Sequence, residues 1–172
     1  MSALYALHAP GLLRYACSIL NDAGGAQDAL QEIFLRYYVA RSEGQQFDDP
    51  KAWLYRVLRN HVLDTLKSSS VKNEIAVEKI DDPRDGGSDP ERRYHCAEMA
   101  RDLGRVLAPR ELECVRLRAE GLSYGEIAQT LDLSQGAVGA TLTRAHKKVR
   151  RALGYVDAGR NPDLPGAAAA GA

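Results

Sequence analysis

The sequence predicts an all-α protein: two small helical domains joined by a flexible linker, the C-terminal one with a helix-turn-helix. Three observations predict it. Apolar residues recur at steps of three and four along most of the chain to Leu153, and no strand-type alternation stands out. A stretch rich in Ser, Pro, Gly and acids interrupts that pattern between Ser68 and Pro90. Residues 123–151 then read as two short capped helices around a tight turn. The expected organisation is a helical module over 1–67, an acidic flexible linker over 68–90, a second module over 91–153 and a disordered tail over 154–172.

Composition narrows the function classes. At 172 residues the chain suits one ordinary domain or two small ones. Lys and Arg number 23 against 23 Asp and Glu, which argues against coating nucleic acid by bulk charge. Up to Lys67 there are seven bases and seven acids; from Ser68 to Ala108, seven and nine; from Pro109 onward, nine and seven. The positive end is modest and concentrated in one helix. Cys17, Cys96 and Cys114 are widely spaced and form no CxxC or Cys/His cluster, so neither a metal nor a cofactor is expected. The N-terminus lacks a charged-then-apolar leader, and no apolar run approaches the ~20 residues of a membrane span. The expectation is a soluble cytoplasmic protein with no membrane contact of its own. A glycine-rich phosphate loop and a nucleophile–base constellation are both missing, which makes an enzyme the least favoured class.

The first helix is expected from Ala3 to about Leu20, with Leu4, Leu7, His8, Leu12, Tyr15, Ala16 and Ile19 as its stripe and Pro10 as a bend or an early position. Asn21 to Gly25 is a turn. The second helix, about Ala26 to Arg41, has Leu30, Ile33, Phe34 and Tyr37 inward. Asp28, Gln31, Glu32 and Leu35 share another face, and an apolar Leu35 among polar groups hints at a partner. Asp49 followed by Pro50 is an N-cap and first-turn proline. The third helix runs to about Lys67, with Leu54, Val57, Leu58, His61, Val62 and Thr65 toward the core, His61 as a hydrogen-bonded core histidine. Its opposite side shows Arg56, Arg59, Asn60, Leu63 and Lys67, with Trp53 and Tyr55 near the start. Bases mixed with aromatics and an amide suit single-stranded nucleic acid, where bases stack and phosphates pair. An ordinary polar face with Trp53 buried is the other reading.

From Asp81 to Glu91 five acids stand against Arg84. Helices resume at about Glu91 through Met99, Leu103, Val106 and Leu107. Pro109 starts another, with Leu112, Val115 and Leu117 inward and Gly121 ending it. Ser123 and Glu126 then form a capping box. Ile127, Ala128 and Leu131 are that helix's apolar side, and Asp132 sits where the chain reverses, in backbone that Asp tolerates. Ser134 caps the second helix, whose stripe is Val138, Leu142, Ala145, Val149 and Leu153. It ends in Arg144, Lys147, Lys148, Arg150 and Arg151 with no acid. Such a hairpin can lay its second helix in a DNA major groove with the bases on phosphates; it can also be an amphipathic hairpin with a solvated basic end.

Taken together these segments resemble the sigma-70 family of bacterial RNA polymerase sigma factors, in its small extracytoplasmic-function (ECF) type. Asp28-Ala-Leu-Gln-Glu-Ile-Phe34 is similar to the family's DxxQExF core. Ala52 to Asn60, with Asp64, resembles its WLxRxxxN…D segment. Leu107 to Leu117, Glu120 to Ala128 and Arg144-Ala145 resemble its second conserved region. The resemblance covers nearly all of residues 1–153 in the family's order and spacing.

The resemblance implies roles. Asp28, Gln31, Glu32 and Leu35 would dock on the clamp helices of the largest subunit of core RNA polymerase. The loop Phe47-Asp48-Asp49 would shape the pocket for a flipped base of the −10 element, and Trp53, Arg56, Arg59 and Asn60 would line the opened non-template strand. The linker would thread the polymerase's channels. The second module would bind the −35 duplex through Ser123, Tyr124, Gly136, Ala140, Thr143, Arg144, Lys147 and Lys148, and would bind the flap of the second-largest subunit. No catalysis would fall to this chain. One departure stands out: Ala137, Gly139 and Ala140 occupy positions where the family usually has Thr, a basic and a polar residue. The groove-entering end is therefore nearly bare, and few bidentate base contacts, each worth about 1–3 kcal/mol, are on offer. The immediate start of the first helix and the short tail suggest restraint by a separate anti-sigma protein. A helix-turn-helix regulator acting without polymerase, and a polymerase-binding adaptor without promoter recognition, are the other readings; the first leaves Asp28–Phe34, Trp53–Asn60 and the linker without a purpose.

Overall fold

A computed structural model of the chain describes residues 2–72 and 102–153. Its helices are α1 (Ser2–Leu20), α2 (Ala23–Ser42), α3 (Pro50–Lys72), α4 (Pro109–Ala119), α5 (Tyr124–Leu131) and α6 (Gln135–Ala152), with residues 102–106 also helical. Among the described residues there is no strand. The expected tail and all but the first five residues of the expected linker lie outside the described residues. Those five, 68–72, belong to α3, so the helix runs past the Lys67 at which the sequence pattern ended it. Ser68-Ser-Ser70 are poor helix formers on propensity, but a helix already propagating adds each residue cheaply.

The helix boundaries follow from side-chain caps. Asp22 accepts from the backbone N–H groups of Gly24 and Gly25, at 3.0 and 3.1 Å, and starts α2. Asp49 accepts from the Ala52 N–H at 3.0 Å and starts α3, with Pro50 where its missing N–H costs nothing. Pro10 lies inside α1. Ser123 and Glu126 close the capping box at α5, and Ser134 accepts from the Ala137 N–H at 3.2 Å at α6. Between α5 and α6, Asp132 adopts left-handed backbone at φ 55°, as its position in the reversal requires.

α1, α2 and α3 pack on one another around Leu12, Ala16, Leu30, Ile33, Phe34, Leu54, Leu58 and Val62, all buried. α4, α5 and α6 pack around Leu117, Leu122, Ile127, Leu131 and Val138. Several expected core positions lie elsewhere. Leu7 is 73% exposed, Thr65 is exposed with its hydroxyl donating to the His61 carbonyl at 2.9 Å, and Leu112 and Val115 are half-buried. Tyr55 moves the other way: expected with the polar face of α3, it is buried.

Tyr55 is buried because the two helical units meet. α3 packs along α5, and the start of the chain touches α4, so the apolar cluster is continuous across both. Tyr15 and Tyr55 meet edge to face with ring centroids 5.5 Å apart, a geometry aromatic pairs favour. Gly11 allows the approach, since a Cβ there would lie 2.6 Å from the Tyr55 hydroxyl. The Tyr15 hydroxyl is buried and has no hydrogen-bond partner among the described residues; burial pushes its pKa up. A buried hydroxyl without a partner costs about 1–3 kcal/mol. Tyr15→Phe is therefore expected to stabilise the fold, and a gain of ~1 kcal/mol moves the thermal midpoint of a chain this size by about 2–4 °C. A thermal melt in which Tyr15→Phe lowers the midpoint would show that the hydroxyl has a partner after all.

Candidate nucleic-acid and polymerase interfaces

The loop from Glu43 to Asp49 is held by aromatic packing. Phe47 stacks on Tyr37 of α2 at 5.0 Å between centroids and meets Trp53 of α3 at 4.7 Å, and Tyr37 meets Trp53 at 5.7 Å. These contacts tie the loop to two helices while leaving Asp48 exposed and Phe47 and Trp53 half-exposed. Phe47, Asp48, Trp53 and Arg56 then line one wall of a cleft of about 630 Å³. The facing wall comes from the hairpin: Gly125, Gln129, Asp132 and Gln135. Four of the residues expected to handle an opened strand are thus brought together. Arg59 and Asn60 lie further along α3. Asn60 is exposed, with its carbonyl oxygen 3.4 Å from an Arg59 nitrogen. Arg59 itself is engaged: its Nε and a terminal nitrogen donate to the two carboxylate oxygens of Glu113 on α4. The Glu113 hydrogen bonds raise the guanidinium's pKa.

On α2, Asp28, Gln31 and Leu35 are exposed, and Glu32 is half-buried beside Arg36 at 2.8 Å. Leu35 is 60% exposed. Val39, one turn on, is exposed too and extends the apolar strip. The i, i+4 spacing of Leu35 and Val39 could have revealed that strip in the sequence.

In the hairpin, the Ser123 hydroxyl is occupied by the Glu126 N–H. Burial pushes the Glu126 carboxyl up, but hydrogen bonds from Ser123 and Lys51 outweigh it and the net shift is down. Gly136 has open space where a Cβ would stand, and Ala140, Thr143, Arg144, Lys147 and Lys148 are exposed. Thr143 donates to the Gly139 carbonyl at 2.9 Å, and Arg144 donates to Thr141 Oγ1 at 3.2 Å. Lys148 pairs with the buried Glu111 carboxylate at 2.7 Å, which draws its ammonium toward α4. Tyr124 lies under the Arg118 guanidinium, 5.9 Å from the ring centroid, with its ring edge over Gly139. Tyr124 and Thr143 also help wall an apolar groove of about 910 Å³, built mainly from Leu103, Val106, Val115, Ala119, Leu142, Val149 and Leu153. That groove was not foreseen, because Val115, Leu142, Val149 and Leu153 were read as inward stripes.

A profile for Sigma-70 region 2 matches residues 4–71, and one for Sigma-70 region 4 matches residues 97–149. The chain belongs to the sigma-70 family. Its curated relatives place it with the ECF type. The ECF RNA polymerase sigma factor SigL of Mycobacterium tuberculosis is 29% identical over 89% of this chain and 88% of its own length. BldN of Streptomyces coelicolor, also an ECF RNA polymerase sigma factor, is 31% identical over 87% of this chain and 59% of its own. CarQ, an RNA polymerase sigma factor of Myxococcus xanthus, is 29% identical over 90% and 89%. Among solved structures, CnrH in complex with the cytosolic domain of CnrY superposes with a TM-score of 0.65 at 26% identity, covering 90% of this chain and 87% of that one. The sigma factor RpoE bound to the anti-sigma factor NepR from Bartonella quintana shares the fold, with a TM-score of 0.67 at 22% identity and coverage of 91% and 97%. No described helix of this sigma factor is long and apolar enough to cross a membrane.

Glu111 fixes the hairpin's basic end to α4. Lys148 and the Ala108 N–H, at 2.9 Å, both hold its carboxyl below the usual carboxylate range. A depressed folded pKa contributes stability that is present above the unfolded value of about 4.3 and is lost as pH falls through the folded value. Glu111→Gln should therefore lower the thermal midpoint at neutral pH, and the gap to the native chain should close as pH falls below 4 or so. Equal gaps at neutral and acid pH would show that the charge on Glu111 is not what holds α4 to α6.

Proposed function

We propose that this sigma factor binds core RNA polymerase through α2, reads the opened −10 strand with the Phe47–Trp53–Arg56 wall, and grips the −35 duplex with α6. The observation that carries the reading is the aromatic-and-cation wall of the cleft, which lies on the same unit as the exposed Asp28, Gln31 and Leu35 face. The strip Leu35–Val39 supplies the apolar contact for the polymerase's clamp helices, with Glu32 and Asp28 on its polar margin. The Phe47–Asp48 loop, pinned by Tyr37 and Trp53, is a ready pocket wall for an unstacked base. Arg56, Arg59 and Asn60 supply phosphate and amide contacts along α3.

At −35 the bare Gly136–Ala140 end approaches the groove closely but offers little base readout, so affinity rests on phosphate contacts from Arg144, Lys147 and Lys148 and on shape. Ser123 and Tyr124 stand at the start of α5, with Ser123 orienting the helix through its cap. The apolar groove beside α6 suits the flap of the second-largest subunit, and an amphipathic anti-sigma helix would compete for the same kind of surface. The linker beyond α3, whose residues lie outside the described ones, would pass through the polymerase's channels.

Run-off transcription with core polymerase tests the reading as a whole. Promoter-dependent initiation is the expected result. Duplex binding without initiation would favour a free-standing regulator, and polymerase binding without promoter choice would favour an adaptor. Two substitutions test the surfaces separately. Leu35→Ala should weaken polymerase binding by about tenfold, the scale of a central interface residue, and leave −35 duplex binding unchanged. Lys147→Ala should reduce the salt slope of duplex binding by about one unit, as loss of one phosphate contact does. An unchanged slope in a fluorescence titration would remove Lys147 from the interface.

A further inference from the structure

Among the described residues, the ion pairs that join the two units run one way. Arg14, Lys51 and Arg59 belong to the N-terminal unit, and the acids they meet belong to the C-terminal one. Arg14 meets Glu120 at 2.7 Å, and Lys51 meets Glu126 at 3.1 Å while also donating to the Gly121 carbonyl at 3.1 Å. Arg59 is gripped by both oxygens of Glu113. A carboxylate offers a guanidinium the same forked pair of acceptors that a phosphate does. On the function proposed above, Arg59 faces the opened strand, yet here it is taken by a carboxylate, and the cleft beside it is roofed by the hairpin.

We propose that Glu113, Glu120 and Glu126 act as an intramolecular stand-in for the nucleic-acid backbone, holding the C-terminal unit over the single-strand-reading face until DNA phosphates replace them. Closed chain and strand-bound chain are then mutually exclusive, and the free protein is latched by its own acids. The interface is suited to release. Its apolar centre includes the partnerless Tyr15 hydroxyl, and Arg116 is half-buried beside it with no ion pair among those described. Arg14 is largely exposed, so solvent and competing anions reach that pair directly.

The latch predicts linked changes in shape and in DNA affinity. Glu113→Gln with Glu120→Gln keeps side-chain size and the cap made by Glu126, and removes the mimicking charge. The full-length double variant should show a larger radius in small-angle scattering than the native chain. It should bind a single-stranded DNA oligomer of about 10 nucleotides, within the span such surfaces cover, roughly 3–10-fold more tightly, the scale of two surface ion pairs. The native chain saturated with that oligomer should expand in the same way, which tests the latch without any substitution. A double variant as compact as the native chain overturns the proposal, as does one that expands without gaining affinity. So does a native chain that binds the oligomer while staying closed. Run-off transcription with the native chain separates the two readings: initiation together with an unchanged radius in the double variant removes the latch and leaves the sigma function standing. Expansion and tighter oligomer binding without initiation by the native chain would keep the latch and remove the sigma function.

Discussion

The whole arrangement depends on α3 being packed on two flanks. One flank, Leu54, Leu58 and Val62, closes the N-terminal bundle; these side chains are fully buried. The other carries Tyr55 and Arg59 against the C-terminal unit. A helix used this way cannot devote its outer face to solvent alone. Each group on it is shaped both by the nucleic acid it would meet and by the protein surface it meets in the free chain. That explains why a cation-and-aromatic face holds a buried tyrosine: Tyr55 provides apolar area for the contact with α1 and α5, and Arg56 and Trp53 remain at the cleft.

Local structure was largely legible in the sequence because its signals are local. Asp22, Asp49, Ser123 and Ser134 each read as a cap or turn residue, and the left-handed Asp132 follows from a reversal with no glycine to make it. The periodic stripes found most of the two cores. What could not be read was the contact between the units. Tyr15 looked like an ordinary core residue and Tyr55 like part of a polar face, and neither pattern names its partner across the chain. Glu113 and Glu120 gave no sign of their partners for the same reason: pairing across 54 or 106 positions leaves no periodic trace. Half-burial of Val115, Leu142 and Val149, and with it the apolar groove, was hidden because a helix stripe predicts an inward side without saying whether another element covers it.

Charge balance also takes on a different meaning in three dimensions. Equal numbers of acids and bases argued only that the protein does not bind by bulk electrostatics. In the folded chain the balance is local and directed, since the bases of one unit are matched with the acids of the other across their junction. Glu126 shows how closely this is tied to helix formation. It caps α5 through Ser123 and pairs with Lys51 at once, so the hairpin retains its own cap whether or not Lys51 is present.

The open space at Gly136 has an evolutionary consequence. A helical glycine is less favourable than alanine by about 1 kcal/mol, so a side chain introduced there gains helix stability and meets no atom within 4 Å. With the exposed Ala140 one turn further on, α6 offers adjoining positions where new side chains can be added without repacking any core residue. With α6 in the role proposed for it, sequence preference at the duplex can diverge between descendants of this chain by one or two substitutions, while the scaffold that presents them stays unchanged.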